Sequence, residues 1–169
     1  MKKVFTVFTV LLLTFAVQAE NLIENASFEK AGKKAPASWA KIGKGQVIFQ
    51  PGKGIVRLES VDEKTPVTCS ARQSVFKKIV KGKKYLLSCK VKGDKFQKHP
   101  KADYGLMLVN KNWKGSAGTR RFKVPEAEAV TVKKVVTIPE NWTDAIIVAF
   151  VANTTGALEF SEIQLTEVQ

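Results

Sequence analysis

The residues best placed to do chemistry in this chain are aromatic and cationic. Trp113 lies in the polar segment Asn110-Lys-Asn-Trp-Lys-Gly-Ser-Ala-Gly118. A large ring among Asn, Lys and Gly has less reason to be core than one in a strand, and loops often carry binding. Such a ring can stack on the apolar C–H face of a sugar, while Asn, Gln and Arg bond the hydroxyls. Trp142, in Pro139-Glu-Asn-Trp-Thr143, is a second tryptophan in a connection. For both, the alternative is a loop anchor folded back on the core. Arg72 falls on the polar side of its strand with Ser70 and Ser74, a face to which Ser88 and Lys90 can add. Arg121, next to Arg120, is the other arginine expected to assist Trp113.

Catalytic patterns do not appear. His99 is the single histidine and sits between Lys98 and Pro100 in a polar stretch. One histidine with Cys69 and Cys89 is too little for a zinc site of the finger or hydrolase type. Gly115-Ser-Ala-Gly118 lacks the spacing of a nucleophile elbow. Pro51-Gly-Lys-Gly54 is too short to cradle a phosphate and reads as a turn. A glycosidase needs two carboxylates facing a sugar, and neither Glu126 with Glu128 nor Asp62 with Glu63 stands apart from solvated surface charge. A binding role, not an enzyme, is therefore expected.

The 169 residues carry 28 Lys+Arg against 15 Asp+Glu, a formal charge of +13. With 44% apolar and 25% charged residues, the chain is not a disordered one. Lysines crowd at 77–78, 81–84, 90–101 and 133–134, with Arg120 and Arg121 between. A basic surface can hold a polyanion through salt-sensitive contacts, or it can simply be a solvated surface. No nucleic-acid motif is present.

Residues 1–19, MKKVFTVFTVLLLTFAVQA, have a basic start, an apolar run and a small-x-small end at Val17-Gln18-Ala19. They read as a secretory signal peptide, because an apolar run of about 14 residues is short of the roughly 20 needed to span a bilayer. Residues 20–169 then form one domain, secreted or held in the periplasm or cell envelope, with no transmembrane segment after cleavage.

That domain reads as strands. Period-two alternation marks 22–28, 46–49, 55–60, 67–76, 84–92, 104–109, 130–138, 145–151 and 157–166. Gly- and Pro-rich turns separate them, and a short helical turn is placed near 125–129. So many strands with no convincing helix predict a β-sandwich. Leu158 and Phe160 share one parity and Ile163 and Leu165 the other, so the phase slips at Ser161-Glu162, as at a β-bulge. Cys69 and Cys89 both fall on the apolar side of their strands. On neighbouring strands of an exported protein they could form a disulfide; otherwise they pack as small buried thiols.

Several segments carry a resemblance. Asn21-Leu-Ile-Glu-Asn-Ala-Ser-Phe-Glu29 resembles the opening of the CenC-type (family 4/9) carbohydrate-binding modules, and Pro36-Ala-Ser-Trp39 the tryptophan that follows it. Gln73-Ser-Val75 and Lys81-Gly-Lys-Lys-Tyr-Leu-Leu-Ser-Cys-Lys-Val-Lys92 are similar to the central segment, and Phe160-Ser-Glu-Ile-Gln-Leu165 to the closing strand. The matches run in family order over almost all of residues 20–169. The resemblance implies a galactose-binding-like jelly roll and a poly- or oligosaccharide partner, and it adds Gln73 to the ligand-binding candidates. Because this fold hosts many functions, a structural or adhesive envelope protein binding polyanionic surfaces is the alternative. Many such modules serve a glycoside hydrolase as accessory partners. The family often holds a structural calcium between its opening Glu and an Asp of the closing strand. Here Ser161 replaces the first acidic position and Ala26 the usual Gly, so only Glu29 and Glu162 are left as calcium ligands. N-terminal sequencing of exported protein is expected to begin at or near Glu20; an intact Met1 on exported material would overturn the leader assignment.

Overall fold

The structure, a computed structural model, describes residues 20–62, 64–110, 113 and 115–168. The leader expected at 1–19 lies outside the described residues. Eight strands follow in order: β1 (Ala40–Gly43), β2 (Gln46–Gln50), β3 (Ile55–Glu59), β4 (Val67–Ser74), β5 (Lys84–Val109), β6 (Ser116–Arg120), β7 (Val130–Thr137) and β8 (Ile146–Glu167). Among the described residues, one 3-10 turn forms, at Phe76–Lys78. All strand pairs are antiparallel.

Two long strands organise the rest. β5 and β8 pair along their whole length, from Tyr85 opposite Glu167 to Val109 opposite Ile146. β4 joins the first half of β8, with Ser70 opposite Phe150, while β3 joins the second half, with Leu58 opposite Leu158. Likewise β7 pairs with residues 84–91 of β5 and β6 with residues 105–109. The result is two five-stranded layers. The first runs β1, β4, β8 (first half), β5 (second half), β6. The second runs β2, β3, β8 (second half), β5 (first half), β7. The fold is a jelly-roll β-sandwich.

Both long strands must bend where they pass from one layer to the other. Their register shifts between Asp94 and Gln97 and again between Lys98 and Asp103. Opposite, Asn153 and Gly156 adopt positive φ, at 53° and 70°. A Cβ on Gly156 would sit 2.1 Å from the Lys95 carbonyl oxygen, so only glycine lets the strands approach this closely. Ser60 secures the bend: its amide donates to the Gly156 carbonyl (3.1 Å), and its Oγ accepts from the Gly156 amide (3.1 Å).

The space between the layers holds the core. Alternation sends Tyr85, Leu87, Cys89 and Val91 inward from one layer, and Tyr104, Leu106, Leu108, Ile147 and Ala149 from the other. Burying each Leu or Ile contributes about 1.5–3 kcal/mol. The two buried phenols are satisfied, as such groups must be. Tyr104 donates to the Phe122 carbonyl and Tyr85 accepts from the Val80 amide, each at 2.7 Å. Near the end of β8, residues 162 and 163 both lie between positions paired with Ser88 and Lys90. This is the expected bulge, and it turns Ile163 and Leu165 back into the core after Phe160.

Other expectations are corrected. Residues 22–28 form turns, not a strand, with Asn25 at φ 48° and Phe28 at φ 62°. In place of a ladder, the Asn21 side chain bonds the Ile163 carbonyl (3.0 Å) and the Leu165 amide (3.0 Å). No helical turn forms at 125–129. β1 and β6 are strands that alternation does not reveal. β1 is exposed throughout, and β6 is Ser-Ala-Gly-Thr-Arg. The cysteines are both free and buried. Their strands are not neighbours: Cys69 faces Val151 in the first layer, whereas Cys89 faces Val132 in the second.

Burial pushes both thiols up, Cys69 to about 11 and Cys89 to about 12. Only the thiolate alkylates readily. Native protein at pH 8 is therefore expected to resist iodoacetamide, and non-reducing denaturation to yield two additions by mass. Zero additions after unfolding would instead mean a bridge.

Candidate functional site

The outer face of the first layer is built by parity. Residues 69, 71 and 73 of β4 point to the core, so Thr68, Ser70, Arg72 and Ser74 point away. Register then aligns rows across the strands. One row runs Ile42, Ser70, Phe150, Gly105, Arg120; the next runs Ala40, Arg72, Val148, Met107, Gly118. The middle of the face is apolar, and Met107, Val109 and Val148 form a small cluster with Ile146 and Phe150 that is separate from the main core.

Asn110 and Gly115, which flank the end of β5 and the start of β6, are tied together. The Asn110 amide donates to the Gly115 carbonyl (3.2 Å), and the Asn110 Oδ1 accepts from the Gly115 amide (3.3 Å). Trp142 lies directly beneath, since a Cβ on Gly115 would be 2.8 Å from its Nε1. Gly115 therefore rests on a buried indole. Trp113 takes φ 57° and donates its amide to the Asn110 carbonyl (2.9 Å). The residue is 48% exposed, and its ring covers the Arg72 guanidinium, whose carbon lies 4.9 Å from the ring centroid.

Beside this pair opens a cleft of about 360 Å³, bounded by Ile42, Thr68, Ser70, Arg72, Trp113, Phe150 and Ala152. Ile42 is 46% exposed, an apolar wall facing solvent. Arg72 is half-buried, and its Nε donates to Ser70 Oγ (2.9 Å). Burial lowers its pKa, yet an arginine stays charged. Among the described residues no carboxylate lies within salt-bridge distance of it. Arg57 differs, binding Glu59, Asp94 and Glu159 together.

The other expected site residues are dispersed. Arg121 is exposed at the margin of this face, 3.3 Å from Asp103, which also pairs with Arg120. Burial alone would raise the Asp103 carboxyl, but the two arginines hold it low. Trp142 is 4% exposed and belongs to the core. Gln73 is 3% exposed and points inward. Its amide clamps one peptide: Oε1 accepts from the Glu24 amide (2.8 Å) and Nε2 donates to the Glu24 carbonyl (2.7 Å). Ser88 and Lys90 lie in the second layer and do not share the Arg72 face. Glu162 pairs with Lys90 (2.6 Å). Glu29 borders a different hollow, with Phe28, Pro36 and Phe49. Among the described residues, no group of three or more His, Cys, Asp or Glu side chains gathers to hold a metal ion.

Phe150 and Ile42 are site residues that sequence reading missed. The stretch Ala145-Ile-Ile-Val-Ala-Phe-Val151 is apolar on both parities, so alternation cannot tell which side faces out. Ile42 sits on a four-residue edge strand with no pattern of its own.

No protein-family model matches the sequence, and no curated protein matches it. Solved structures share the fold. A CBM4 module superposes with a TM-score of 0.59 at 14% identity, covering 86% of this chain and 99% of the module. TmCBM61, solved with β-1,4-galactotriose, gives 0.59 at 14% identity, covering 89% of this chain and all (100%) of that one. A cyclase from Fischerella sp. TAU gives 0.57 at 12% identity, covering 86% and 96%. The chain thus has the jelly roll of carbohydrate-binding modules, a fold that also carries enzymes.

The Gln73 clamp has a measurable consequence. Gln73→Ala strands a buried N–H and C=O, each costing about 1–3 kcal/mol. It is expected to lower stability by roughly 2–4 kcal/mol in urea denaturation while leaving the surface of the Arg72 face unchanged. A loss below about 0.5 kcal/mol would show that Gln73 is not a clamp.

Proposed function

We propose that this chain is an exported, non-catalytic glycan-binding protein whose ligand lies in the cleft between Ile42 and Trp113. The observation that carries this reading is Trp113, a half-exposed indole that borders an apolar cleft and lies against the Arg72 guanidinium. A sugar offers such a site an apolar ring face for Trp113 and Phe150 and hydroxyls for Thr68, Ser70 and Arg72. The shared fold with carbohydrate-binding modules supports the reading. In this view the protein is secreted or retained in the periplasm or envelope, where it acts on its own or beside a glycoside hydrolase. Its positive charge would draw an anionic glycan towards it. Neither a calcium ion nor nucleic acid has a part in this reading.

Trp113→Ala is the direct test. A central aromatic contributes about 2 kcal/mol or more to binding, so the affinity for a glycan found by array screening is expected to fall at least roughly 30-fold. The unfolding midpoint should hardly move, because Trp113 is already about half exposed. If raised salt abolishes binding and Trp113→Ala does not affect it, the alternative of polyanion capture by surface lysines replaces this one.

A further inference from the structure

Arg72 is the feature of the cleft that binding a neutral sugar leaves unexplained. The chain has four arginines. Arg57, Arg120 and Arg121 each meet a carboxylate. Arg72 meets none among the described residues, although it is more enclosed than Arg120 or Arg121 and has apolar Ile42, Phe150 and Trp113 around it. A guanidinium drawn partly out of water without a counter-charge is disfavoured in the empty protein and gains when an anion arrives. Neutral hydroxyls recover little of that loss.

The way Arg72 is held also selects the kind of anion. A guanidinium stacks through its face and hydrogen-bonds through its edge. Trp113 occupies the face. Ser70 takes the Nε hydrogen. No described residue bonds the terminal Nη1 and Nη2, and together they offer two parallel donors to two oxygens about as far apart as those of a carboxylate. Among the described residues, the boundary of the cleft includes no Asp or Glu to repel a negative charge.

Building on the proposed glycan site, we infer that the cleft is a subsite for a uronic acid, whose carboxylate is held end-on by Arg72 beneath Trp113. The partner is then an acidic polysaccharide, recognised by a specific contact as well as by general charge. The ring of the same sugar lies against Phe150 and Ile42, and Thr68 and Ser70 are the hydroxyl partners within reach of the cleft.

The test uses the whole exported protein and a panel of defined uronate tetrasaccharides: galacturonate, mannuronate, guluronate and glucuronate-containing. Each is titrated beside the same compound after its carboxylates are reduced to alcohols. At least one acid is expected to bind 10-fold or more tightly than its reduced form, and at 0.5 M salt as well as at 0.1 M. Arg72→Gln should erase that difference while Lys84→Gln, on the other layer, leaves it intact. Should Arg72→Gln fail to fold, the wild-type Arg72 Nε–Hε resonance serves instead; it should shift with the acid and not with its reduced form. Equal binding of acid and alcohol would overturn the uronate subsite yet leave the glycan site standing. No binding by any member of the panel, while an array finds a neutral glycan that depends on Trp113, would overturn it also. A preference that vanishes at 0.5 M salt, or equal binding of a sulfated neutral tetrasaccharide, would assign the effect to net charge instead of a carboxylate fork. Failure of Trp113→Ala to affect any glycan would remove both readings together.

Discussion

The continuous pairing of β5 with β8 is the constraint on which the rest of this structure depends. Two strands of 26 and 22 residues cannot stay in one flat sheet, because strand twist accumulates and long sheets curl or split. Here the split comes at one place. Gly156 and Asn153 turn β8, the register shifts turn β5, and Ser60 bonds across the bend. From that point each half of each long strand collects its own neighbours. The ten positions across the two layers are therefore set by where two strands bend, and the core fills the gap between the halves.

The same bend decides which side chains can act together. Arg72 and Ser88 both sit on the polar side of their strands, and sequence alone offers no reason to separate them. Yet Ser88 belongs to the first half of β5 and Arg72 pairs across β8 with the second half. One faces out from one layer and one from the other. What Arg72 does join, through the row Ala40, Arg72, Val148, Met107, is an apolar surface. Glycines at 105 and 118 add no side chains to that face. The loop tip then supplies the aromatic ring that the strands lack.

How much of this was legible beforehand varies with the kind of signal. Tyr85, Leu87, Cys89 and Val91 alternate cleanly because one side of their strand meets the core and the other meets water. The bulge at Ser161-Glu162 was legible for the same reason: two core residues on the wrong parity demand an extra residue. The N-terminal segment misled because it has alternating apolar residues, yet Asn21 and Gln73 satisfy its backbone from the side, which lets it turn. Gln73 itself was placed at the ligand through a family resemblance, although its parity with Cys69 and Ala71 already put it inside. Trp142 and Trp113 show the limit for loops. Both follow a turn among polar residues, and only the close contact of Gly115 with one indole separates the buttress from the exposed ring.

That contact joins the stability of the protein to its site. Gly115 has no side chain to bury, and ordering its backbone costs about 1–2 kcal/mol. Trp142 offsets part of this cost by giving Gly115 a flat apolar support, and Asn110 bonds both of its backbone groups. Trp113 is then positioned by contacts that lie outside the cleft. The guanidinium beneath the ring works in the opposite direction: it is held in place by Ser70 and Trp113 but meets no counter-charge among the described residues. One side of the indole pair thus rests on satisfied packing and the other on an unsatisfied charge. Contacts that hold Asn110, Gly115, the Trp113 amide and Arg72 without a ligand leave less of the binding energy to be lost in ordering them.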